Sequence, residues 1–259
     1  MVHDKMLSDL KSLGVREGGH LLVHSSYKSL GEGVDGIEQV IETLRAALGE
    51  SGTLLIPTLS FSSVPTDNRV FDIRQTPSDV GAITEYFRKM PGVVRSLHPT
   101  HSVAAIGANA SEIVRDHEKD NSPVGANSPF RKLRDWQGQI LMLGCGLLPN
   151  TSMHGVEELA EPPYAFRHML DYQCTDAEGI THTLNIRRHH FENAHGGSVV
   201  QRYDRLKFLL PAYIMAYGKV LDAECYLFEA KPMWDVAVKV MRDDPLFFVD
   251  GWYENKISE

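Results

Sequence analysis

The chain has 259 residues, 42% of them hydrophobic, with a formal charge of −8 spread over interspersed acidic and basic positions. This suits one large α/β domain with a real core, and the lack of a lysine/arginine run beside aromatic residues argues against a nucleic-acid groove. Three separated cysteines (Cys145, Cys174, Cys225) make no disulfide framework, and no signal peptide or membrane-length apolar span is present, so a cytoplasmic protein is expected.

Met6, Leu7, Leu10 and Leu13 fall at helical spacing and stop at Gly14, predicting a short amphipathic helix over 4–13. Residues 20–24 read as a buried strand, followed by the small, polar loop Ser25-Ser26-Tyr27-Lys28-Ser29 and a helical period over 36–48. Strand, hydroxyl-rich loop and helix is the order in which α/β folds hold anions on backbone N–H groups, although neither GxGxxG nor GxxxxGK[ST] is present. A second buried strand is expected over 52–57, then an aperiodic loop over 58–77 and a helix over 79–90. The turn Leu97-His98-Pro99-Thr100-His101-Ser102 leads into a strand over 103–106, a short helix follows over 110–116, and Ser128-Pro129 opens another over 130–134.

In the next stretch an apolar run, 140–143, stops at Gly144-Cys145-Gly146, and Asn150-Thr151 offers two N-cap residue types ahead of a helix. On that helix His154 and Glu157 are three residues apart and share a face, so the carboxylate can hold the imidazole. A base with its orienting group is the simplest catalytic unit a sequence can show. Residues 164–167 and 181–187 suggest an antiparallel pair around a turn at 176–179. A helix is expected over 203–210, short strands around Gly218-Lys219, and a helix over 232–242 with Trp234, Val238 and Met241 on one face. His189, His190 and His195 form the densest histidine patch; without HxxxH spacing or nearby cysteines it reads as a solvated loop. The elements add up to a central mixed β-sheet sandwiched by helices (α/β/α), with a small embedded antiparallel β element, in a single domain over 1–259.

The segments VHSSYKSLG (23–31), GTLLIPTLSF (52–61), the run from Phe71 to Gly107, SPFRKL (128–133) and ILMLGCGLLPNTSMHGVEE (140–158) occur in an order and spacing that resembles the antibiotic N-acetyltransferase family, the aminoglycoside 3-N-acetyltransferase-like proteins. A looser likeness continues through Tyr203-Asp204-Arg205 and Gly218-Lys219-Val220. The resemblance implies transfer of acetyl from acetyl-CoA to an amine, with the aminoglycoside 3-N-amino group as leading acceptor, no metal and no covalent enzyme intermediate. It implies His154 as general base with Glu157 behind it. For CoA it implies Ser25, Ser26, Tyr27 and Lys28 at the phosphates, and Ser96, Ser102, Val103 and Phe130 along the pantetheine and nucleotide path. His98, Asp72 and Glu158 become substrate-side candidates. The partners implied are CoA and a small amine, with neither nucleic acid nor membrane; the oligomeric state is not readable.

The chemistry suits these residues, because an ammonium ion must lose a proton before it can attack a thioester, and a neutral imidazole can take it. A position in the first turn of a helix disfavours the imidazolium, while Glu157 favours it. Three rival readings are carried forward. One is a metal-dependent hydrolase using His98, His101, His154 and Glu157. The second makes Cys145 a nucleophile, against the plainer reading of a small residue packed where strand meets helix. The third is a CoA-binding acyltransferase that acts on a non-aminoglycoside amine. A cationic acceptor needs carboxylates, for which Glu157, Glu158, Glu161, Asp72 and Glu192 are the sources considered.

Overall fold

The structure is a computed structural model that describes residues 2–34 and 36–253. In chain order the regular elements begin with α1 (Val2–Leu13), β1 (His20–Ser25), α2 (Ile37–Leu48), β2 (Thr53–Pro57), β3 (Val70–Asp72) and α3 (Ala82–Phe87). They continue with β4 (Val94–Arg95), β5 (Val103–Gly107), α4 (Ala110–Val114), α5 (Pro129–Asp135), β6 (Gln139–Leu143) and α6 (Met153–Ala160). The last are β7 (Phe166–Thr175), β8 (Thr181–His189), β9 (Val200–Gln201), β10 (Met215–Val220), β11 (Ala223–Glu229), α7 (Ala230–Asp243) and β12 (Val249–Asp250).

The central sheet runs β10-β11-β6-β1-β2-β5-β4. Strand β1 is parallel to both β2 and β6, and the outer strands join antiparallel. Both faces are buried, which is why β1, β2 and β6 read as continuous apolar runs. Leu22, Leu55, Ile140, Met142 and Phe228 pack against α4 to α7 on one face, whereas Leu21, Val23, Leu54, Ile56, Leu141 and Leu143 pack against α1 to α3 on the other. The route from β1 to β2 passes through α2 on the second face, and the route into β6 arrives from α4 and α5 on the first. Connections therefore diverge around β1 and leave a crevice at the carboxyl ends of β1, β2 and β6, where open α/β sheets hold ligands.

A second sheet, β3-β7-β8, has its own core of Val64, Phe71, Leu97, Tyr172, Cys174 and Ile186. The hairpin β7–β8 turns where expected, with the Asp176 carboxylate accepting from the N–H groups of Glu178 and Ile180. The expected loop over 58–77 in fact contains β3, parallel to β7; with three residues it is too short to show a period. A two-stranded ribbon, β9 with β12, completes the sheets of the described residues.

Three local expectations are corrected. Gly218-Lys219 is not a turn but lies inside β10, with Gly218 opposite Cys225, and the reversal falls at Leu221-Asp222. A Cβ on Gly218 would come within 3.1 Å of Leu13 Cδ1, so that glycine serves the approach of α1. Asn150 and Thr151 do not cap α6 directly: the Asn150 side chain accepts from the Ser152 N–H, and tight turns lead into the helix at Met153. Helix α3 is shorter than expected because the Asp79 carboxylate is committed to Ser62 and Ser63. Among the described residues no helix is long and apolar enough to cross a membrane.

Candidate active site

A cleft of about 330 Å³, within the range of small-molecule sites, opens at the carboxyl ends of β1, β2 and β6. His24 and Ser25 from β1, Pro57 from β2, Cys145 from the turn after β6, His154 from α6 and Tyr203 all line it. The His154 Nδ1 lies 2.9 Å from Glu157 Oε2, as their spacing on one helix predicts. Glu157 is fully buried, and its Oε1 accepts from the hydroxyls of Tyr203 at 2.8 Å and Tyr164 at 3.4 Å. A carboxylate accepts only, so Nδ1 carries the proton and Nε2 keeps a lone pair. Burial holds the His154 imidazole below the ordinary histidine range, although the Glu157 hydrogen bond acts in the opposite direction, and the ring is neutral at pH 7. Burial, reinforced by Glu157, also pushes both tyrosine hydroxyls up, so they remain protonated donors.

His189 corrects the reading of a solvated loop. Strand β8 runs through to His189, whose side chain is only 2% exposed and whose ring sits 4.7 Å from that of His154. Its Nε2 is 3.1 Å from Glu158 Oε1. His190 pairs with Glu192 instead. Glu158 is therefore a support and not a substrate-side group: it is buried, also accepts from Ser122 Oγ and the Val124 N–H, and has its carboxyl held low by these partners despite burial. Consecutive carboxylates on α6 thus hold two different histidines.

His98 too is moved away from the substrate side. It is fully buried, stacks on His117 at 4.6 Å, and accepts the N–H groups of Thr100 and His101 on Nδ1. Its role is to shape the turn that brings His101 to 5.5 Å from His154. Asp72 closes its own turn by accepting from the N–H groups of Arg74 and Gln75. The hydrolase set of His98, His101, His154 and Glu157 does not assemble, since His98 faces backbone and Glu157 is already engaged by three donors. The metal-capable group among the described residues is His101, His154 and His189.

The expected cofactor residues divide. Ser25 lines the cleft, Lys28 is exposed, and the Tyr27 hydroxyl donates to Val34 O. The Ser26 N–H donates to Leu143 O, and Ser29 Oγ donates to Gly144 O at 2.8 Å, which clamps this loop onto the end of β6. A Cβ on Gly144, whose φ is +71°, would come within 2.6 Å of Ser29 Cβ, so the clamp requires glycine. Ser96, Ser102, Val103 and Phe130, by contrast, are at most 1% exposed and offer no face to a cofactor. Val103 and Phe130 are core, and Ser96 Oγ accepts from the Val103 N–H and pairs with His117 Nδ1. Ser102 Oγ accepts from Arg95 Nε at 2.9 Å.

Arg95 organises that region. Its guanidinium also donates to Thr58 O, Ser60 Oγ, Ile73 O and Thr76 O, fastening the 58–77 segment to the sheet beside His101. Burial pushes its pKa down to about 9. Burial also pushes the Cys145 thiol up to about 12, which leaves no thiolate for nucleophilic attack. Tyr203, Tyr164 and His24 also belong to the site, although nothing in their sequence neighbourhoods marks them as site residues. The general signal for the tyrosines is that a buried phenol needs a hydrogen-bond partner, but which partner depends on tertiary structure.

Residues 22–242 match the family model described as aminoglycoside 3-N-acetyltransferase. Aminoglycoside N(3)-acetyltransferase IV of Salmonella sp is 34% identical over 248 residues, covering 95% of this chain and 89% of that protein. The crystal structure of aminoglycoside acetyltransferase AAC(3)-IVa as apoenzyme matches with a TM-score of 0.78 at 31% identity, covering 95% of this chain and 90% of that one. A histidine-to-alanine mutant of AAC(3)-IVa in complex with apramycin gives 0.74 at 31% identity, covering 94% of this chain and 93% of that one.

Proposed function

This chain belongs to the aminoglycoside 3-N-acetyltransferase family, and on that footing we propose that it moves an acetyl group from acetyl-CoA to the 3-N-amino group of an aminoglycoside, with His154 as general base. The observation that carries the reading is the neutral His154 imidazole, fixed through Nδ1 by a buried Glu157 and lining the cleft. The acceptor arrives as an ammonium ion. His154 Nε2 takes its proton, the amine nitrogen bonds to the thioester carbonyl carbon, and the C–S bond breaks. The CoA thiolate leaves and is protonated by the imidazolium, and the new amide nitrogen gives up its second proton, by way of the freed imidazole, to solvent. Glu157, with Tyr203 and Tyr164 on its other oxygen, keeps Nδ1 protonated and stabilises the imidazolium while it exists. Ser25 and the clamped loop behind it form the donor side, where β1 ends and backbone N–H groups suit an anionic cofactor. The whole chain acts as one catalytic domain, and the elevated Cys145 thiol supports direct transfer over an acyl-enzyme.

The test is acetyl-CoA-dependent thiol release across an amine panel that includes 2-deoxystreptamine aminoglycosides, with the modified nitrogen located by NMR. His154→Ala is expected to lower the rate about 100- to 10,000-fold, the usual contribution of a general base, with CoA affinity within a few-fold. A wild-type rate in that variant overturns the base assignment; turnover of other amines alone overturns the acceptor.

A further inference from the structure

We propose that His101, His154 and His189 form a binding site for a zinc-class divalent cation, and that the bound ion switches transfer off by occupying the nitrogen of the base. The second half rests on the reading of His154 as that base.

The three rings come from separate parts of the chain: the turn before β5, the first turn of α6 and the last residue of β8. One ring nitrogen of each lies within 4.8 Å of the other two. Each ring also has a nitrogen held by an oxygen. His101 Nδ1 is 2.9 Å from Thr100 Oγ1, His154 Nδ1 is 2.9 Å from Glu157, and His189 Nε2 is 3.1 Å from Glu158. An oxygen behind every imidazole is the support that metal-bound histidines have, since it fixes the tautomer and aims the other nitrogen. The nitrogens left over are Nε2 of His101 and His154 and Nδ1 of His189. The last is buried and has no hydrogen-bond partner.

Three imidazoles with no thiolate select zinc, copper or nickel over magnesium or calcium. Zinc–nitrogen bonds of about 2.0–2.1 Å place tetrahedral donors roughly 3.4 Å apart, so nitrogens that lie within 4.8 Å of one another would close by at most about 1.4 Å. Of the three rings, His154 lines the cleft, so an ion held there would meet whatever occupies it. Behind the ring of histidines stand the carboxyl side chains of Glu157 and Glu158, 0% and 4% exposed, each bonded to one of the rings. A metal on His154 Nε2 holds the lone pair that would take the ammonium proton, so loading and proton abstraction exclude each other.

The experiment uses full-length protein stripped with a chelator and titrated with cobalt(II), whose visible absorption reports tetrahedral coordination without any turnover, followed by displacement with zinc. One equivalent is expected to bind. His189→Ala, His189→Asn and His101→Ala, each checked for wild-type circular dichroism, should bind at least 10-fold more weakly, and Glu158→Gln about 10-fold more weakly. Acetyl transfer should fall in step with zinc occupancy and return on chelation. No stoichiometric binding at micromolar metal, or unchanged affinity in the His189 and His101 variants, overturns the site. Full or increased transfer by loaded protein overturns the inhibition, while the cobalt spectrum alone decides binding, so an error in the base assignment is recognised separately.

Discussion

Replacing Glu157 by glutamine changes one oxygen to nitrogen in a buried side chain and tests the support of the base directly. The wild-type carboxylate accepts from His154 Nδ1 at 2.9 Å and from two tyrosine hydroxyls on its other oxygen. A glutamine that turns its oxygen to Nδ1 keeps the tautomer and loses the charge that stabilises the imidazolium. A hydrogen bond to a charged group contributes about 1.5–3 kcal/mol, which at about 1.36 kcal/mol per decade predicts a roughly 10- to 160-fold fall in kcat/KM. A glutamine that turns its amide to Nδ1 moves the proton to Nε2, and the loss approaches the roughly 10,000-fold seen for the analogous aspartate-to-asparagine change in serine proteases. The assay is CoA thiol release at saturating acetyl-CoA, with KM for acetyl-CoA unchanged. The pH profile adds a sign. Glu157 raises the pKa of His154 against the larger effect of burial, so its removal moves the acid limb of kcat to lower pH. His154→Ala combined with Glu157→Gln should be no slower than His154→Ala alone, because the pair acts as a unit. Activity of Glu157→Gln within three-fold of wild type, with an unmoved acid limb, refutes the reasoning.

Arg95→Met should destabilise the protein by about 3–5 kcal/mol in urea titration, because it strands the buried acceptors Thr58 O, Ser60 Oγ and Ser102 Oγ; a loss below about 1 kcal/mol contradicts the role given to the guanidinium. Burial acts to raise the Glu85 carboxyl, but hydrogen bonds from Arg88 and Lys89 outweigh it and hold the pKa down to about 2. Its contribution is therefore present above the ordinary carboxylate range and lost as pH falls through about 2, so Glu85→Gln should be less stable than wild type at pH 6 and converge with it in acid. Urea midpoints that differ equally at pH 6 and pH 3 count against this. Cys145→Ala should retain transfer within about three-fold, as measured by CoA release, because a thiol pushed up to about 12 supplies no nucleophile.

The parts of the molecule that were legible in the sequence are those fixed by neighbours along the chain. His154 and Glu157 were readable because three residues on a helix give one face, and β1, β2 and β6 because burial on both sides leaves nothing but apolar residues. His189 was not, since its inward direction depends on β8 reaching two residues further than its alternation suggested and on α6 presenting Glu158 to it. The serines at 96 and 102 illustrate a different gap. A hydroxyl that meets a cofactor and one that meets a buried arginine have the same letter, and only the placement of Arg95 separates them. Asn150-Thr151 failed as a cap signal because the local Asx turn captured the asparagine oxygen first.

The contact between Gly144 and Ser29 is structurally separate from the hydrogen bonds that hold His154. How closely the loop after β1 settles on the end of β6 depends on the absence of one carbon atom at residue 144. The base sits on another element, with its own hydrogen bonds to residues that do not take part in this contact. A side chain at residue 144 would therefore displace the loop after β1 from the end of β6 while leaving the hydrogen bonds among His154, Glu157 and Tyr203 in place.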